Sequence, residues 1–386
     1  MRLGDIINIK HGFAFSGNHI IEEDNGVVLV TPGNFRIGGG FQEKKCKFFD
    51  GEIPKEYILN EGDFIVTMTD LSKTIDTLGY SALVPKSSSR TYLHNQRIGL
   101  VQFKNDSCDR GYIYWLMRTR GYQRTIANTS TGSTVHHTSP AKICDFEFTP
   151  PSIETQRRIA EILSRYDSLI ENYQRQIKLL EEAAQRLYKE WFVDLHFPGH
   201  ETTPIIDGIP EGWEKKKIGS MISKVHRTKQ VPTAEYKNSG RIPIIDQSKN
   251  YIAGYTDDNE CSVELDVPAI IFGDHTRILK YVTFQFAKGA DGTQLIVSND
   301  LERMPQSLFF NSLLNVDLSN YSYARHFKYL KEEEIVVPTP SLANKYDEIV
   351  SVYYNMIQTH RDQIRNLTEA RDRLLPKLMS GEIDIV

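Results

Sequence analysis

The chain of 386 residues lacks the features that mark several large classes of protein. Its four cysteines, Cys46, Cys108, Cys144 and Cys261, show no paired spacing. This excludes a zinc ribbon or a disulfide framework and predicts buried free thiols. No run of 18 apolar residues occurs, and no apolar leader precedes the first amphipathic segment. We therefore expect no membrane-spanning helix, and the cytoplasm is the default compartment.

Catalytic signatures are also missing. The chain has no glycine-rich phosphate loop ending in Lys-Ser/Thr, no HExxH and no GxSxG motif. Each of these motifs places a nucleophile, a metal or a phosphate in a defined geometry, so their absence argues against the corresponding chemistries. We predict a protein that is not an enzyme and that has no catalytic residue, no metal and no cofactor.

Basic residues are abundant only in parts of the chain. The net charge is −4, yet residues 77–142 hold nine Lys or Arg against two acids, and residues 215–249 hold another nine against two. Each block therefore carries a local net charge of +7, which acidic stretches at 22–76 and 257–266 offset. One basic block in each half suits phosphate binding, although a charge run is more often only a solvated face.

The chain repeats itself. Ten positions spaced by four and three residues run through 159–191, and ten equivalent positions recur at one constant offset in 346–378. This spacing predicts two long helices that share one heptad register and pack as an internal coiled coil, interrupted by His360 and Arg371. Identities at the same offset support the duplication: Ile170/Ile357, Gln176/Gln363, Ile177/Ile364, Leu180/Leu367, Glu182/Glu369, Ala183/Ala370, Arg186/Arg373 and Leu187/Leu374.

A strand-rich module precedes each helix. In the first module, apolar runs predict strands at 27–30, 64–66, 98–101 and 146–148, and a helix at 111–124. The second module has similar runs at 242–245, 269–272, 281–284 and 294–297. Ser152 stands at the N-cap position of the first long helix, and Pro376 is expected to truncate the second. The Pro- and Gly-rich linker 197–213 is expected to lack regular structure.

Two loops of the first module are candidates for DNA contacts. Residues 67–73 follow a predicted buried strand, and residues 132–139 form a loop without acids inside the first basic block. Hydroxyls, imidazoles and guanidinium groups donate to phosphates and base edges. A solvent-facing loop is an equally good interpretation of 132–139. The candidates in this module are Thr69, Ser72, Lys73, Arg90, Arg97, Arg118, Arg120, Arg124, Ser133, His136 and His137.

The second module offers comparable loops. Residues 274–277 follow a predicted buried strand as residues 67–73 do, and residues 322–328 mix cations with aromatics. Arg277 could bind guanine through two hydrogen bonds, or it could form a surface ion pair with Asp274. The candidates here are Lys224, Arg227, Lys229, His275, Thr276, Arg277, Tyr323, Arg325, His326 and Lys328.

The junction 150–163 (PPSIETQRRIAEIL), the segment 209–213 (IPEGW) and the order module-helix-module-helix resemble the specificity subunits of type I restriction-modification systems. The resemblance implies an α+β fold. Two mixed α/β target-recognition domains would be separated by two long antiparallel helices that form an intramolecular coiled coil with a pseudo-two-fold repeat. The expected divisions are 1–151 for the first domain, 152–195 for spacer helix 1, 196–340 for the second domain with linker 196–213, 341–380 for spacer helix 2 and 381–386 for the tail.

The same resemblance implies a host-defence protein that recognises a bipartite site in double-stranded DNA. Its partners would be modification (methyltransferase) and restriction (endonuclease and translocase) subunits. The second junction, 341–346, lacks the Glu-x-Gln element of the first. At 1.5 Å per residue, a helix over 159–191 would be roughly 50 Å long, longer than the ~34 Å of one DNA turn, so rod length would set the half-site spacing.

Two other functions stay open at the level of sequence. A coiled-coil scaffold that binds only proteins would fit the overall acidity, and it would show no DNA retention at low salt. A methyltransferase fused to its recognition domains would require cofactor motifs that the chain lacks.

Overall fold

The computed structural model describes residues 1–44, 46–72, 74–226, 228–289, 292–321 and 325–385. They form two compact units. Unit 1 consists of Met1–Ile170 and Arg365–Val386, and unit 2 consists of Glu171–Ile364. Each unit holds a mixed α/β domain and a part of each of the two longest helices, which confirms the predicted fold class.

The helices are α1 Arg110–Leu116, α2 Arg120–Asn128, α3 Pro140–Cys144, α4 Ile153–Tyr188, α5 Gln306–Leu314, α6 His326–Glu332 and α7 Pro340–Ser380. A π-helical turn, Lys189–Val193, extends α4. Within the described ranges, none of the helices combines the length and apolarity needed to cross a membrane. The same residues contain no cluster of three His, Cys, Asp or Glu that could bind a metal ion.

The strands of the first module are β1 Ile7–His11, β2 Ile20–Ile21, β3 Val27–Val30, β4 Lys47–Phe49, β5 Ile58–Leu59, β6 Phe64–Thr67, β7 Thr69–Asp70, β8 Ser81–Leu83, β9 Thr91–His94, β10 Ile98–Phe103 and β11 His136–His137. Those that follow α4 are β12 Ile205–Ile206, β13 Ile209–Pro210, β14 Glu214–Lys217, β15 Ile242–Ile245, β16 Gly254–Thr256, β17 Ser262–Val263, β18 Ala269–Gly273, β19 Leu279–Val282, β20 Phe286–Lys288, β21 Thr293–Ile296 and β22 Glu334–Val337.

The sheets of the two units share one central arrangement, to which β1 and β2 add an edge strand each in unit 1. In unit 1, β3 pairs parallel with β9, and β4 and β5 flank this pair antiparallel. In unit 2, β15 pairs parallel with β20, and β16 and β17 flank it in the same way. A second sheet centres on β6 between β8 and β10 in unit 1, and on β18 between β19 and β21 in unit 2. The duplication inferred from the helices therefore extends through the modules.

In unit 1, α4 and α7 run antiparallel and pack on the first module. Leu163 of α4 and Leu378 of α7 belong to one buried cluster with Trp115 of α1. Asp167 contacts Arg371, whereas the Arg158 guanidinium donates to the carbonyl of Ile385. Residues later in α4 thus contact residues earlier in the C-terminal segment, as antiparallel packing requires. Arg371, which interrupts the predicted seam, is neutralised there by Asp167.

In unit 2, the same two helices pack together along the predicted seam. The Tyr346 hydroxyl donates to the carbonyl of Ala184 at 3.2 Å, and Arg361 pairs with Glu181 at 3.1 Å. Tyr173 packs against His360 with ring centroids 4.9 Å apart. Because these two rings occupy equivalent positions of the heptad repeat, the two copies of the seam contact each other there.

Three local predictions were wrong or incomplete. The helix predicted at 111–124 is two helices, because the Thr119 hydroxyl caps α2 by accepting from the Tyr122 amide. Residues 146–148 form only a single bridge, Glu147 with Arg2, since the N-terminal segment turns into a 3-10 helix at once. Pro376 does not end α7. Buried leucines on both sides, Leu375 and Leu378, offset the missing amide hydrogen bond.

The linker also differs from expectation. It contains the hairpin of β12 and β13, whose two turn residues, Asp207 and Gly208, have φ of +50° and +80°. Two left-handed residues in succession match the twist of a two-residue hairpin, which Asp-Gly favours. The predicted N-cap is confirmed, since the Ser152 hydroxyl accepts from the Thr155 amide at 3.2 Å. Of the four free cysteines, Cys108 and Cys261 are buried, whereas Cys46 and Cys144 are half-buried.

Candidate nucleic-acid interface

The two candidate loops of unit 1 lie together. Strand β7, inside the loop 67–73, pairs antiparallel with β11, inside the loop 132–139. The Thr138 amide donates to the Met68 carbonyl at 3.0 Å, and the Thr69 hydroxyl lies 3.1 Å from Nδ1 of His137. Ser133 and His137 are exposed and His136 is half-buried. Two segments distant in sequence therefore form one surface, with Lys73 outside the described residues.

The buried Asp70 carboxylate organises the loop that follows it. It accepts hydrogen bonds from the amides of Ser72, Thr77 and Leu78, and from the Thr77 hydroxyl, at 2.6–3.0 Å. Burial alone raises the pKa of Asp70, but these donors outweigh burial and hold the pKa below its usual value. A charged carboxylate at the base of the loop thus fixes the conformation of residues 71–78.

Three exposed arginines lie next to this loop. The Gln123 side chain of α2 donates to the Ile75 carbonyl at 2.7 Å, which places Arg120 and Arg124 of the same helix near the loop. The Arg97 carbonyl accepts from the Met68 amide at 2.9 Å. Throughout the described part of the chain, these arginines have no acid within ion-pair distance. Their charge is therefore available to a phosphate.

Four other candidates of unit 1 have structural roles. The Arg118 side chain is 3% exposed, contacts Asp167 at 2.6 Å and lies 4.2 Å above the Trp115 ring, so it is removed from the DNA-contact set. Arg90 is bound by Asp24 at 2.7 Å and by Glu43 at 2.9 Å. Thr69 is buried, and Ser72 is half-buried with its hydroxyl accepting from the Asp76 amide. Sequence alone could not place these acid partners beside Arg90 and Arg118.

In unit 2, the turn between β18 and β19 presents three exposed side chains, His275, Thr276 and Arg277. Arg277 has φ +59°, and its guanidinium donates to the Tyr321 carbonyl at 3.1 Å. The predicted alternative, an ion pair with Asp274, does not form. The Asp274 carboxylate is buried and accepts from the Phe327 amide at 2.8 Å. The Thr276 hydroxyl donates to the Gln247 carbonyl at 2.7 Å.

The second loop of unit 2 meets this turn. His326 is buried, and its ring lies 2.8 Å from the carbonyls of both Asp274 and Tyr321. It is therefore a structural residue and not a direct DNA contact, which corrects its assignment. Arg325 and Lys328 beside it are exposed. Tyr323 and Arg227 lie outside the described residues.

The second basic block is largely neutralised in the folded chain. Lys217 contacts Glu332, Lys229 contacts Asp258, and Lys237 contacts Asp257, all at 2.8–2.9 Å. Lys224 is exposed. The amide of its neighbour Ser223 donates to the carbonyl of Val297, which follows the last residue of β21. The turn 274–277 lies at the opposite end of β21, beside Thr293. Lys224 is thus separated from the turn 274–277, and Lys229 is neutralised by Asp258. Charge counted along the sequence overstated the positive charge of this region.

Residues 1–182 match the family described as Type I restriction modification DNA specificity domain. This match covers a little under half of the chain. The MjaIX type I specificity subunit of Methanocaldococcus jannaschii is 29% identical over 303 residues, which cover 71% of this chain and 69% of that protein. The MjaVIII specificity subunit of the same organism is 24% identical over 190 residues, covering 48% of this chain and 43% of that subunit.

The solved structure of a type I restriction-modification S subunit from M. genitalium has the same fold. Its TM-score is 0.60 at 15% identity, with 100% of this chain and 96% of that one covered. The predicted kinship with type I specificity subunits is confirmed, and DNA sequence specificity is the function of the family.

Two residues that support the candidate surfaces were missed in the sequence. Asp70 and Gln247 carry no motif, and each acts through short contacts with backbone groups. The Gln247 side chain accepts from the His275 amide at 3.1 Å. A signal existed for Asp70, since an Asp soon after a buried strand can bond the amide two residues on, here that of Ser72, as in an Asx turn. Gln247 offered none, because its partner is distant in sequence.

Proposed function

We propose that this chain is the non-catalytic specificity subunit of a type I restriction-modification complex. It binds double-stranded DNA in the cytoplasm, recognises a bipartite site and docks modification and restriction subunits. The observation that carries the proposal is the convergence, in each unit, of two loops distant in sequence. In unit 1 they lie beside Arg97, Arg120 and Arg124, which have no acid partner within the residues described, and in unit 2 beside the exposed Arg277 and Arg325.

The two surfaces suit recognition because each combines two kinds of donor. Exposed guanidinium groups bind phosphates and, in the major groove, guanine edges. Hydroxyl and imidazole groups, such as those of Ser133, His137 and His275, donate to or accept from other base edges. One such surface in each unit accounts for two half-sites, and the different loop residues account for two different half-site sequences.

DNA binding is tested with the full chain and duplexes of random sequence. Affinity should fall steeply as salt rises, because bound phosphates release counterions. Arg124→Ala should weaken binding to all sequences and lower the salt slope by about 1. The matched control is Lys86→Ala, which removes an exposed cation of the same basic block that already lies 3.9 Å from Glu61. No retention of DNA at low salt would support the protein-binding scaffold instead.

The gap between half-sites is a second test. Helices of 36 and 41 residues, α4 and α7, correspond to lengths of ~54 and ~62 Å at 1.5 Å per residue. Inserting one heptad into each helix keeps the seam in register and adds ~10 Å. We expect the selected DNA to show a longer gap between unchanged half-sites. Sites with the original gap would refute a spacer role for the helices.

An exposed apolar stripe on α7 supports the docking of a partner subunit. Ile349, Val352 and Met356 are 36–50% exposed. Asn355, on the same face, lines a cavity of about 400 Å³ that Leu265 and other residues of unit 2 enclose. Exposed apolar side chains beside a concavity are typical of protein-protein contacts. Val352→Glu should abolish co-purification with the modification subunit, whereas Gln174→Glu, the same charge change at an exposed polar site of α4, should not.

A further inference from the structure

Each unit contains a histidine beside the loop that follows its central buried strand. In unit 1, His137 of β11 contacts the Thr69 hydroxyl after β6, and in unit 2, His326 at the start of α6 contacts the Asp274 carbonyl after β18. The offset that relates α4 to α7 does not relate these two residues, so they are neighbours of corresponding loops and not copies of one position.

The two histidines make different contacts. His137 is exposed, and its ring has one hydrogen-bond partner, the Thr69 hydroxyl at 3.1 Å, which can donate or accept. His326 is buried, and both of its ring nitrogens face backbone carbonyls at 2.8 Å. A carbonyl only accepts, and a neutral imidazole has a single N–H. Both contacts of His326 are therefore hydrogen bonds only when the ring is protonated.

The ring of His326 contacts the carbonyls of Asp274 and Tyr321, the two residues that constrain the position of Arg277. The Tyr321 carbonyl accepts from Nε2 of His326 and also from the Arg277 guanidinium. The Asp274 carbonyl, at the start of the turn, accepts from Nδ1 and from the His326 amide. Arg277 itself sits in the left-handed region at φ +59°, a conformation that costs energy in a non-glycine residue and persists only when neighbours enforce it.

Building on the DNA-binding function proposed above, we infer that His326 is a positioning residue for base recognition by unit 2. By bridging two carbonyls, its protonated ring keeps the Arg277 guanidinium at one place on the surface, with its remaining N–H groups directed to solvent. Removal of the bridge leaves the turn free to move, and the guanidinium then contacts any base or phosphate. In unit 1, His137 has one adaptable partner, so base preference there does not depend on imidazole charge.

The charged and titratable groups on the segments that contact the ring are Asp274, His275, Arg277, Asp317, Arg325 and Lys328. The Asp274 carboxylate accepts a hydrogen bond from the Phe327 amide. The pKa of Asp317 is lowered mainly by hydrogen bonds from the backbone and side chain of Ser319, and to a smaller extent by the charge of Arg277.

The test is selection of binding sites by the full chain from random duplex DNA. Arg277→Ala first assigns one half-site to unit 2. His326→Gln should then reduce discrimination at the same base positions about tenfold, within the range of one two-hydrogen-bond contact, and leave the other half-site unchanged. The matched control is His200→Gln, which changes an exposed imidazole of the linker. His137→Gln is the corresponding change in unit 1 and should not affect the half-site of unit 2.

Hydrogen exchange separates an effect on the turn from a loss of folding. In His326→Gln, the amides of Gly273 and Arg277, which bond within the turn, should lose protection, while the amides that pair β18 with β21 keep theirs. Unchanged protection of the turn, or an unchanged base preference in His326→Gln, would overturn the positioning role alone. Failure of the wild-type chain to enrich any sequence would overturn the DNA-binding function and this role with it.

Discussion

Units 1 and 2 place an aspartate at the same point and use it differently. Asp70 follows β6 and Asp274 follows β18, each of which lies between two paired strands, and both aspartates are buried. The Asp70 carboxylate accepts only from donors in the loop that directly follows it, whereas the Asp274 carboxylate accepts from Phe327, far along the chain. The Asp70 carboxylate therefore fixes its loop through contacts within that loop, whereas the Asp274 carboxylate ties its turn to the helix α6.

The long helices show a parallel difference. Asp167 of unit 1 and Tyr354 of unit 2 occupy equivalent positions of the heptad repeat, at the offset that relates Ile170 to Ile357. Asp167 neutralises Arg118 and Arg371, while the Tyr354 hydroxyl shares hydrogen bonds with Asn311 at 3.0–3.2 Å. A duplicated backbone therefore tolerates either ionic or neutral contacts at one position, because each arrangement satisfies its own buried polar groups.

The comparison predicts its largest effect at Asp167. Asp167→Ala leaves the buried Arg118 guanidinium without a counter-charge and leaves Arg371 with Asp372 alone, so it should destabilise unit 1 by about 3–5 kcal/mol. Tyr354→Phe, the matched change in unit 2, should cost about 1 kcal/mol. Hydrogen exchange under mild denaturant measures the two units separately. Similar losses in both variants would contradict the distinction between ionic and neutral contacts.

The same carboxyl makes unit 1 sensitive to acid. Burial raises the pKa of Asp167, but Arg118 and Arg371 outweigh it and hold the pKa below its ordinary value. Because the folded pKa is lower than the unfolded one, this stabilisation is complete above about pH 4 and is lost as pH falls through the folded pKa. The amides of unit 1 should therefore lose protection from hydrogen exchange as the pH falls. In Asp167→Ala, this dependence of stability on pH should disappear.

Lys280 predicts the opposite pH dependence in unit 2. Burial lowers its pKa to about 8, with Asp246 opposing the shift, and its ammonium donates to the Asn250 carbonyl at 2.5 Å. The unfolded chain keeps this proton up to about pH 10.4, so stability should rise by about 3 kcal/mol between pH 8 and 10.4. Strand β8, in the corresponding place of unit 1, has no ionisable side chain. Lys280→Met should abolish the rise in unit 2, and a rise that persists would contradict this assignment.

Arginines of the two units should differ in what they contribute to binding. Arg277→Ala should remove about 1–3 kcal/mol of discrimination in one half-site, whereas Arg120→Ala should weaken binding equally for all sequences. Site selection measures the first effect, and affinity as a function of salt measures the second. A change of base preference in Arg120→Ala would mean that α2 contacts bases.

The smallest expected effect separates the two aspartates. Asp70→Asn replaces a carboxylate oxygen that accepts from several donors with an amide nitrogen, so loop 71–78 should be destabilised by about 1–2 kcal/mol. Asp274→Asn keeps an oxygen for its single acceptor role toward the Phe327 amide and should cost less. Local hydrogen exchange in the two loops gives the comparison, and equal losses would show that the number of donors is unimportant.

Sequence patterns predicted the parts of this fold that depend on periodicity. The heptad seam, the Ser152 cap and the central strands β6 and β18 follow from residue spacing and polarity, and they were found where expected. Contacts distant in sequence were not predictable. Arg118 looked like a surface cation because its partner, Asp167, belongs to a different helix, and Pro376 looked like a helix end because the packing of Leu378 is not visible in the local pattern.

The division of the chain has a consequence for synthesis. Unit 2 is contiguous, but the core of unit 1 includes Leu375 and Leu378, which are translated only after the whole of unit 2. At about 5–20 residues per second, the ribosome needs on the order of 10–40 s after Leu163 to supply them. During that time the first module exposes the apolar surface that α7 later covers, so the first domain to be translated is the last that can be completed.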